Sequence, residues 1–208
     1  MRRRTAVLIS GRGSNLAALL AAAREPDYPA DIALVISNVP DARGLALAEA
    51  AGVAIATIDH RPFKGDRAAH EAAIIAALEA AGIELVCLAG YLRRLTPLLV
   101  GRYAGKMLNI HPSLLPAFPG LHTHERALAA GAKLHGCTVH LVTEGLDEGP
   151  ILAQAAVPVV PADTPESLAA RVLVQEHAIF PLALALLARG ETGQPPDPGA
   201  ALRNPTRR

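Results

Sequence analysis

The chain has 208 residues, of which 51% are hydrophobic and 3% aromatic, and a formal net charge of +1 at pH 7. This length suits one compact domain, and the shortage of aromatic side chains favours helices alternating with buried aliphatic strands over a β-sandwich. The arginine runs at residues 2–4 and 207–208 lack interleaved aromatic residues, unlike a nucleic-acid-binding surface. We therefore predict no nucleic-acid partner.

Cysteine usage and hydropathy indicate where the protein works. Cys87 and Cys137 each lie in an apolar run, which favours two small buried side chains over a disulfide or a metal site. We therefore expect a reducing compartment. No apolar run approaches the roughly 20 residues of a membrane span, and the first residues lead into a strand and a glycine loop rather than a signal peptide. The sequence predicts a cytoplasmic protein with no membrane partner.

The chain begins with a predicted strand, a glycine turn and a helix. A β-rich run at 5–10 precedes GRGSN at 11–15 and the helical LAALLAAA. Free N–H groups at a helix N-terminus favour an anion such as phosphate, and glycines let the backbone approach it. The third glycine of a dinucleotide fingerprint is replaced by Leu16, so we expect no nicotinamide or flavin cofactor. A tight turn capped by Ser14 or Asn15 is the ligand-free alternative.

Strands and helices then alternate along the chain. Strands are predicted near 31–37, 54–58 and 85–89, and helices near 42–51 and 66–81. This alternation predicts an α/β protein with a doubly wound, mostly parallel sheet. The loop GYLRRL at 90–95 mixes apolar and basic side chains, which suits a flat, partly anionic ligand, although its arginines could simply face solvent. Thr96 and Pro97 then predict a helix start, as N-cap and first helical residue.

The stretch LNIHPSLLPAFPG at 108–120 carries the chemistry. Asn109 and His111 lie two apart and project from one face of an apolar strand. Pro112 holds the preceding histidine in extended geometry at the strand's carboxyl end, where α/β sheets carry ligands. An amide that cannot titrate beside an imidazole that can suits a carbonyl whose oxygen becomes negative during attack. The alternative is that both residues only cap the strand and satisfy loop backbone.

Other polar residues follow this stretch. The histidines at 111–124 raise the possibility of a metal site, but the spacing is wrong for a helical pair and no cysteine or carboxylate completes a set. A short helix is expected near 125–130. His135 and His140 flank a predicted strand at 136–142 and are interpreted as ordinary strand residues. Asp147 lies in a turn, where it either caps that turn or pairs with His111 and fixes its tautomer.

The last predicted elements are a strand near 151–160 and a long amphipathic helix beginning at Asp163, Thr164 and Pro165 and ending near Ala188. The polar triplet at 175–177 within this helix is typical of a wet face. From Gly190 the sequence is rich in Pro, Gly and Arg, and we expect a disordered tail.

Several motifs together carry a family resemblance. GRGSNL, YLRRL, NIHPSLLPAFPGLHTHERAL, LDEGP and QEHAIFP occur in this order between about residues 7 and 187. They resemble the folate-dependent phosphoribosylglycinamide formyltransferases of purine biosynthesis. The resemblance implies a single Rossmann-like formyltransferase domain at 1–190 with a C-terminal strand and helix extension. Its part at about 1–104 would hold the ribotide, its part at about 105–190 would hold the catalytic and folate sites, and 191–208 would be the tail.

The resemblance also implies roles for individual residues. The catalytic set would be Asn109, His111 and Asp147. The ribotide-binding set would be Gly13, Ser14, Asn15 and Glu176. The folate-binding set would be Arg67, Leu92, Arg93, Arg94, Leu95 and Asn109. The co-substrate would be 10-formyltetrahydrofolate, with glycinamide ribonucleotide as acceptor, no metal, and a monomeric or homodimeric enzyme.

Two departures and three alternatives accompany these expectations. Arg94 stands where the family commonly has an aliphatic residue, and Leu173 where a polar residue often supports the phosphate, so binding details at both places are open. The formyl acceptor could instead be initiator tRNA or water. Those enzymes carry further domains for which this length leaves no room. A non-catalytic folate- or nucleotide-binding module is the third alternative, against which the intact catalytic set argues.

Overall fold

The structure is a computed structural model, and it describes residues 1–191. The strands are β1 Arg3–Ile9, β2 Ala30–Ser37, β3 Ala54–Thr57, β4 Leu85–Leu88, β5 Met107–His111, β6 Leu134–Leu141 and β7 Ile151–Pro158. The helices are α1 Ser14–Ala23, α2 Arg43–Ala50, α3 Arg67–Ala80, α4 Pro97–Arg102, α5 Thr123–Ala129 and α6 Pro165–Arg189, with a 3-10 turn at Arg61–Phe63. The predicted disordered tail lies, from residue 192 onward, outside the described residues.

The strands form a seven-stranded sheet in the order β3-β2-β1-β4-β5-β6-β7. The first five in this order are parallel, while β6 runs antiparallel to β5 and β7 antiparallel to β6. The predicted mostly parallel α/β fold is thereby confirmed. The strand order reverses at β1 and β4, and ligands of open α/β sheets bind outside the carboxyl ends of strands at such a point. The 11–15 turn and the 90–95 loop both lie there.

Both faces of the sheet are covered, which explains why its central strands are continuous apolar runs. Alternate residues of β1 and β4 point to opposite faces. On one face they pack with α1, α2 and α6 around the fully buried Phe180. On the other face they pack with α3 and α4 around Ile74 and Leu99. Cys87 and Cys137 are free and buried in this core, as predicted, and burial raises the pKa of both thiols.

Helix starts are set by local capping where the sequence indicated them. The Thr96 side chain accepts from the backbone N–H of Leu98, with Pro97 as the first helical residue. Thr164 and Ser167 form a reciprocal capping box at the start of α6. One capping prediction was wrong, because the N-cap of α1 is Gly13 and no side chain bonds to that helix end.

Helix α6 combines length with a high apolar content, although charged residues at 166, 171 and 176 interrupt its apolar runs. Among the described residues, it is the one helix that is long and apolar enough, by length and composition alone, to cross a membrane. It has 25 residues, and 44% of its most apolar window is buried inside the fold. It packs on α1, α5, β6 and β7. A helix that covers a sheet in this way is expected to be apolar over much of its length.

Candidate active site

The end of β5 brings together the polar residues singled out from the sequence. Asn109 and His111 are two residues apart and therefore project from the same face of the sheet. In the antiparallel pairing with β6, His140 lies opposite Asn109 and Thr138 lies opposite His111. Side chains directly opposite each other in such a pair are neighbours. A second histidine and a threonine therefore complete a polar row beside the predicted pair.

Both ring nitrogens of His111 face acceptors. Nδ1 lies 3.4 Å from Oδ2 of Asp147, and Nε2 lies 3.1 Å from the backbone oxygen of Phe118. A neutral imidazole donates from one nitrogen, so only the doubly protonated ring can donate to both groups. The two side chains are 7% and 10% exposed, which makes this a buried pair. The structure thus places Asp147 against His111, as the pairing alternative required.

Asp147 is aimed at His111 by an unusual backbone conformation. Its φ is 54°, in the left-handed region that few residues other than glycine adopt. The backbone N–H of Gly120 donates to the same Oδ2 atom, at 2.8 Å. The two loops on either side of the site are therefore joined through this one carboxylate oxygen.

His140 is part of the site, although the sequence interpretation treated it as an ordinary strand residue. Its Nδ1 lies 2.9 Å from the carbonyl oxygen of Leu141 and must donate there, because a carbonyl can only accept. In the neutral ring Nε2 therefore accepts from Nδ2 of Asn109, at 3.2 Å. Burial lowers the pKa of His140, which keeps the ring neutral. His140 thus fixes which way the Asn109 amide faces.

Two further histidines, His124 and His135, contact each other. Nδ1 of His124 is 3.1 Å from Nε2 of His135, and the rings meet edge to face at 5.1 Å. His135 is 1% exposed and lies in β6, in line with its interpretation as a strand residue. Within residues 1–191, no group of three or more His, Cys, Asp or Glu side chains is arranged to hold a metal ion. The contact between His124 and His135 is a hydrogen bond, which requires that at least one of the two rings is neutral.

The 11–15 turn meets the requirements of a helix N-terminal anion site, and also those of helix packing. Gly13 has φ 80° and caps α1, so the N–H groups that follow it are free of side-chain caps. A Cβ on Gly13 would lie 2.7 Å from the Cα of Gly44. Glycine is therefore required here for the approach of α2 to the turn, whether or not a phosphate binds.

Asn15 has a role that its position in the sequence did not reveal. Its Nδ2 donates to Oε2 of Glu176 on α6, at 2.7 Å, while its Oδ1 atom is buried without a protein partner. Burial raises the pKa of Glu176, and the hydrogen bond from Asn15 opposes that rise. The structure thus brings these two expected ribotide-binding residues into direct contact beside the glycine turn.

The 90–95 loop is held at both ends. The backbone N–H of Leu92 donates to Oγ of Ser10, at 2.9 Å. The backbone N–H of Thr96 donates to the buried carboxylate of Glu71, at 2.7 Å. Arg67 lies one helical turn before Glu71 on α3 and is exposed. Glu71 and Ser10 hold the loop, and neither was singled out from the sequence.

Within the loop itself, the four side chains differ in exposure. Leu92 is 76% exposed and Arg94 is also exposed, whereas Arg93 and Leu95 are half-buried. Arg94, which departs from the aliphatic residue common in the family, is therefore exposed to solvent and not packed inside the loop.

Comparisons with known proteins agree with this geometry. The formyl transferase family model matches residues 3–184. The chain is 46% identical to phosphoribosylglycinamide formyltransferase of Escherichia coli, over 88% of this chain and 86% of that protein. A crystal structure of the protein of that name from Brucella melitensis is 57% identical, with a TM-score of 0.86, over 90% of this chain and 96% of that one. The chain belongs to the phosphoribosylglycinamide formyltransferase family.

Membership of this formyltransferase family confirms both the resemblance carried by the motifs and the fold class. A further relative is the trifunctional purine biosynthetic protein adenosine-3 of Drosophila melanogaster, 49% identical over 91% of this chain. The chain spans only 14% of the length of that protein. The similarity to that larger protein is therefore confined to one of its parts.

Asp147 also borders a cavity. A cavity of about 260 Å³ opens between residues 115–119 and the turn at 146–149, and Asp147 is among the residues that line it. Its other walls are largely apolar, with Leu115, Leu146 and Ile151. Asp147 thus borders an open cavity with mostly apolar walls, to which Glu148 also contributes.

Proposed function

We propose that this chain transfers the formyl group of 10-formyltetrahydrofolate to the amine of 5'-phosphoribosylglycinamide. The products are 5'-phosphoribosyl-N-formylglycinamide and tetrahydrofolate, a step in purine biosynthesis. Membership of the phosphoribosylglycinamide formyltransferase family supports this reaction. The observation that carries the proposal is the buried His111–Asp147 pair beside the Asn109 amide at the end of β5.

The residues suit direct attack by the amine on the formyl carbon. The carbonyl oxygen then becomes an oxyanion, which the Asn109 amide stabilises by a hydrogen bond and the protonated His111 ring stabilises by its positive charge. One Asn109 N–H is used by His140, and the other remains for the oxyanion. The attacking nitrogen loses a proton and the departing folate nitrogen gains one. Asp147 holds His111 in place and relays this proton as a general acid and base.

The substrates bind on either side of this centre in our proposal. The free N–H groups after Gly13, with Ser14 and Asn15, hold the ribotide phosphate at the N-terminus of α1. Glu176, fixed by Asn15, meets the glycinamide end.

The folate lies along the loop that contains Leu92, Arg93, Arg94 and Leu95, with its acidic end near Arg67. Free buried thiols support a reducing, cytoplasmic location, and we retain a monomer or homodimer as the assembly.

The test mixes purified protein with glycinamide ribonucleotide and 10-formyltetrahydrofolate and follows loss of the formyl group by absorbance. We expect transfer that depends on the ribotide and that is nearly abolished in Asp147→Asn. The matched control is His122→Asn, because His122 is an exposed histidine near the site whose left-handed conformation asparagine tolerates.

Absence of ribotide-dependent transfer in the unaltered protein would overturn the proposal. Release of formate without any acceptor would point to a hydrolase instead. Loss of activity on adding a chelator would contradict the proposed metal-free mechanism.

A further inference from the structure

The segment at residues 112–120 contacts both members of the His111–Asp147 pair through its backbone. The carbonyl of Phe118 accepts from Nε2 of His111, at 3.1 Å, and the N–H of Gly120 donates to Oδ2 of Asp147, at 2.8 Å. These two backbone groups are two residues apart. The conformation of this segment therefore sets the relative position of the imidazole and the carboxylate.

The segment cannot hold this conformation by regular secondary structure, because it contains none. Phe118 has φ 53°, so its carbonyl direction depends on a left-handed conformation that costs energy in a residue with a side chain. Two internal bonds close the turn before it: Oγ of Ser113 donates to the oxygen of Ala117, at 2.6 Å, and the N–H of Ala117 donates to the oxygen of Leu114, at 2.9 Å. Both bonds stay within residues 113–117, so contacts from outside the segment are needed to fix its position on the sheet.

The side chains of Thr138 on β6 and Gln154 on β7 hold the 112–120 segment in place. The hydroxyl of Thr138 donates to the oxygen of Ser113, at 2.7 Å, and accepts from the N–H of Leu115, at 3.0 Å. Nε2 of Gln154 donates to the oxygen of Leu115 and to the Thr138 hydroxyl, both at 2.9 Å. The hydroxyl thus uses its one donor and both acceptor positions.

The sheet register explains how these side chains reach the segment. Thr138 lies opposite His111 in the β5–β6 pairing, and Gln154 lies opposite Thr138 in the β6–β7 pairing. The three side chains therefore form a row across three strands on one face of the sheet. The 112–120 segment crosses over this row, with Thr138 completely buried beneath it.

We propose that Thr138 and Gln154 are positioning residues for the formyl transfer. They hold the base of the 112–120 segment, and through it the Phe118 carbonyl and the Gly120 N–H that orient His111 and Asp147. This inference rests on the proposed function, because it assigns the two side chains a part in that reaction. It differs from a general stabilising role in predicting that turnover depends on these hydrogen bonds more than stability does.

Four variants separate the hydrogen bonds from the shape of the side chains. Gln154→Glu keeps the shape of the side chain but removes its two N–H donors, and Gln154→Leu removes them without adding a charge. Thr138→Val removes the hydroxyl, whereas Thr138→Ser keeps it. The matched control is Ser167→Ala, which loses hydrogen bonds of similar number in the capping box at the start of α6. All five are assayed as the full chain, with unfolding measured alongside.

We expect Gln154→Glu, Gln154→Leu and Thr138→Val to lower kcat roughly tenfold to a hundredfold, the loss typical of a small misplacement of reacting groups. The KM for the ribotide should stay near its original value, because the phosphate turn is not involved. Thr138→Ser should retain most of the turnover. Hydrogen exchange should become faster in peptides covering 112–120 and unchanged in β1 and β4.

The outcomes separate the two proposals. No transfer by the unaltered protein would overturn the proposed function. With an active unaltered protein, the positioning role is overturned if Gln154→Glu and Thr138→Val keep full kcat. It is also overturned if they lose kcat only as far as Ser167→Ala does at equal loss of stability. Unchanged exchange at 112–120 in these variants would overturn the stated route through the segment.

Discussion

The contact between half-buried His124 and buried His135 makes the stability of this protein sensitive to acid. Burial lowers the pKa of His135 from 6.5 to about 4, His124 adds to the effect, and the Pro112 carbonyl opposes it. Burial also lowers the pKa of His124. The charge of Glu125 opposes this decrease, and the charge of His111 adds to it. A hydrogen bond between two rings requires one lone pair, so protonation of both rings breaks it.

The size and direction of the effect follow from linkage. Between about pH 6.5 and 4, His135 binds a proton in the unfolded chain but not in the folded chain. Folding stability therefore falls as the pH falls. The contribution is fully present above pH 6.5 and lost by about pH 4. The difference between the unfolded and folded pKa of His135 corresponds to about 3 kcal/mol of folding stability, which is roughly 6–12 °C in Tm for a domain of this length.

The assay is urea unfolding at pH 7 and at pH 4.5, with the unaltered chain, His135→Asn and His122→Asn. Asparagine cannot take up a proton, so His135→Asn should lose less stability on acidification than the unaltered chain. It should start lower at pH 7 because a buried hydrogen bond is lost. His122, whose side chain is 75% exposed, should show the unaltered slope when replaced. Equal losses in all three proteins would refute the reasoning.

Three further predictions concern the candidate site and the core. Asn109→Ala should lower turnover about a hundredfold to a thousandfold, the loss of roughly 3 to 4 kcal/mol expected for an oxyanion donor, and a loss below tenfold in steady-state assays would contradict it. Pro112→Ala should lower turnover more than ribotide affinity, because Pro112 keeps His111 extended; equal losses would contradict that role. Cys87 and Cys137 should react with a thiol reagent only after unfolding, and fast reaction of the folded protein would place one of them near the surface.

Much of the fold could be predicted because its signals are local. The helix that begins at Pro97 is indicated by two adjacent residues, an N-cap threonine and a proline. The helix at Arg67–Ala80 was expected at 66–81, and its N-cap is Asp66. Strands such as Leu85–Leu88 are buried on both faces and therefore stand out as apolar runs. In each case a short window of sequence contains the interactions that decide the structure.

The site is less predictable because its contacts join distant parts of the chain. A helix cap by Ser14 or Asn15 was the ligand-free alternative, yet Asn15 bonds to Glu176, 161 residues away. His140 looked like any residue of a strand. Its part in the site depends on the antiparallel register that sets it opposite Asn109, and the sequence alone does not determine that register. The motif resemblance pointed to the residues proposed to face the substrates, but not to His140, Ser10 or Glu71, which contact them or their loop.

The pairing of His111 with Asp147 depends on two loops, at residues 112–120 and 146–149. Phe118 and Asp147 each adopt a left-handed conformation, with φ 53° and 54°, and each presents a group to the same imidazole ring. Such conformations cost about 1–3 kcal/mol each and persist only where the surroundings enforce them. Here the Gly120 N–H ties one loop to the other through the Asp147 carboxylate. Asp147 is thus held by a contact from the other loop, and Phe118 lies two residues before the glycine that makes this contact, so the two loops form the site together.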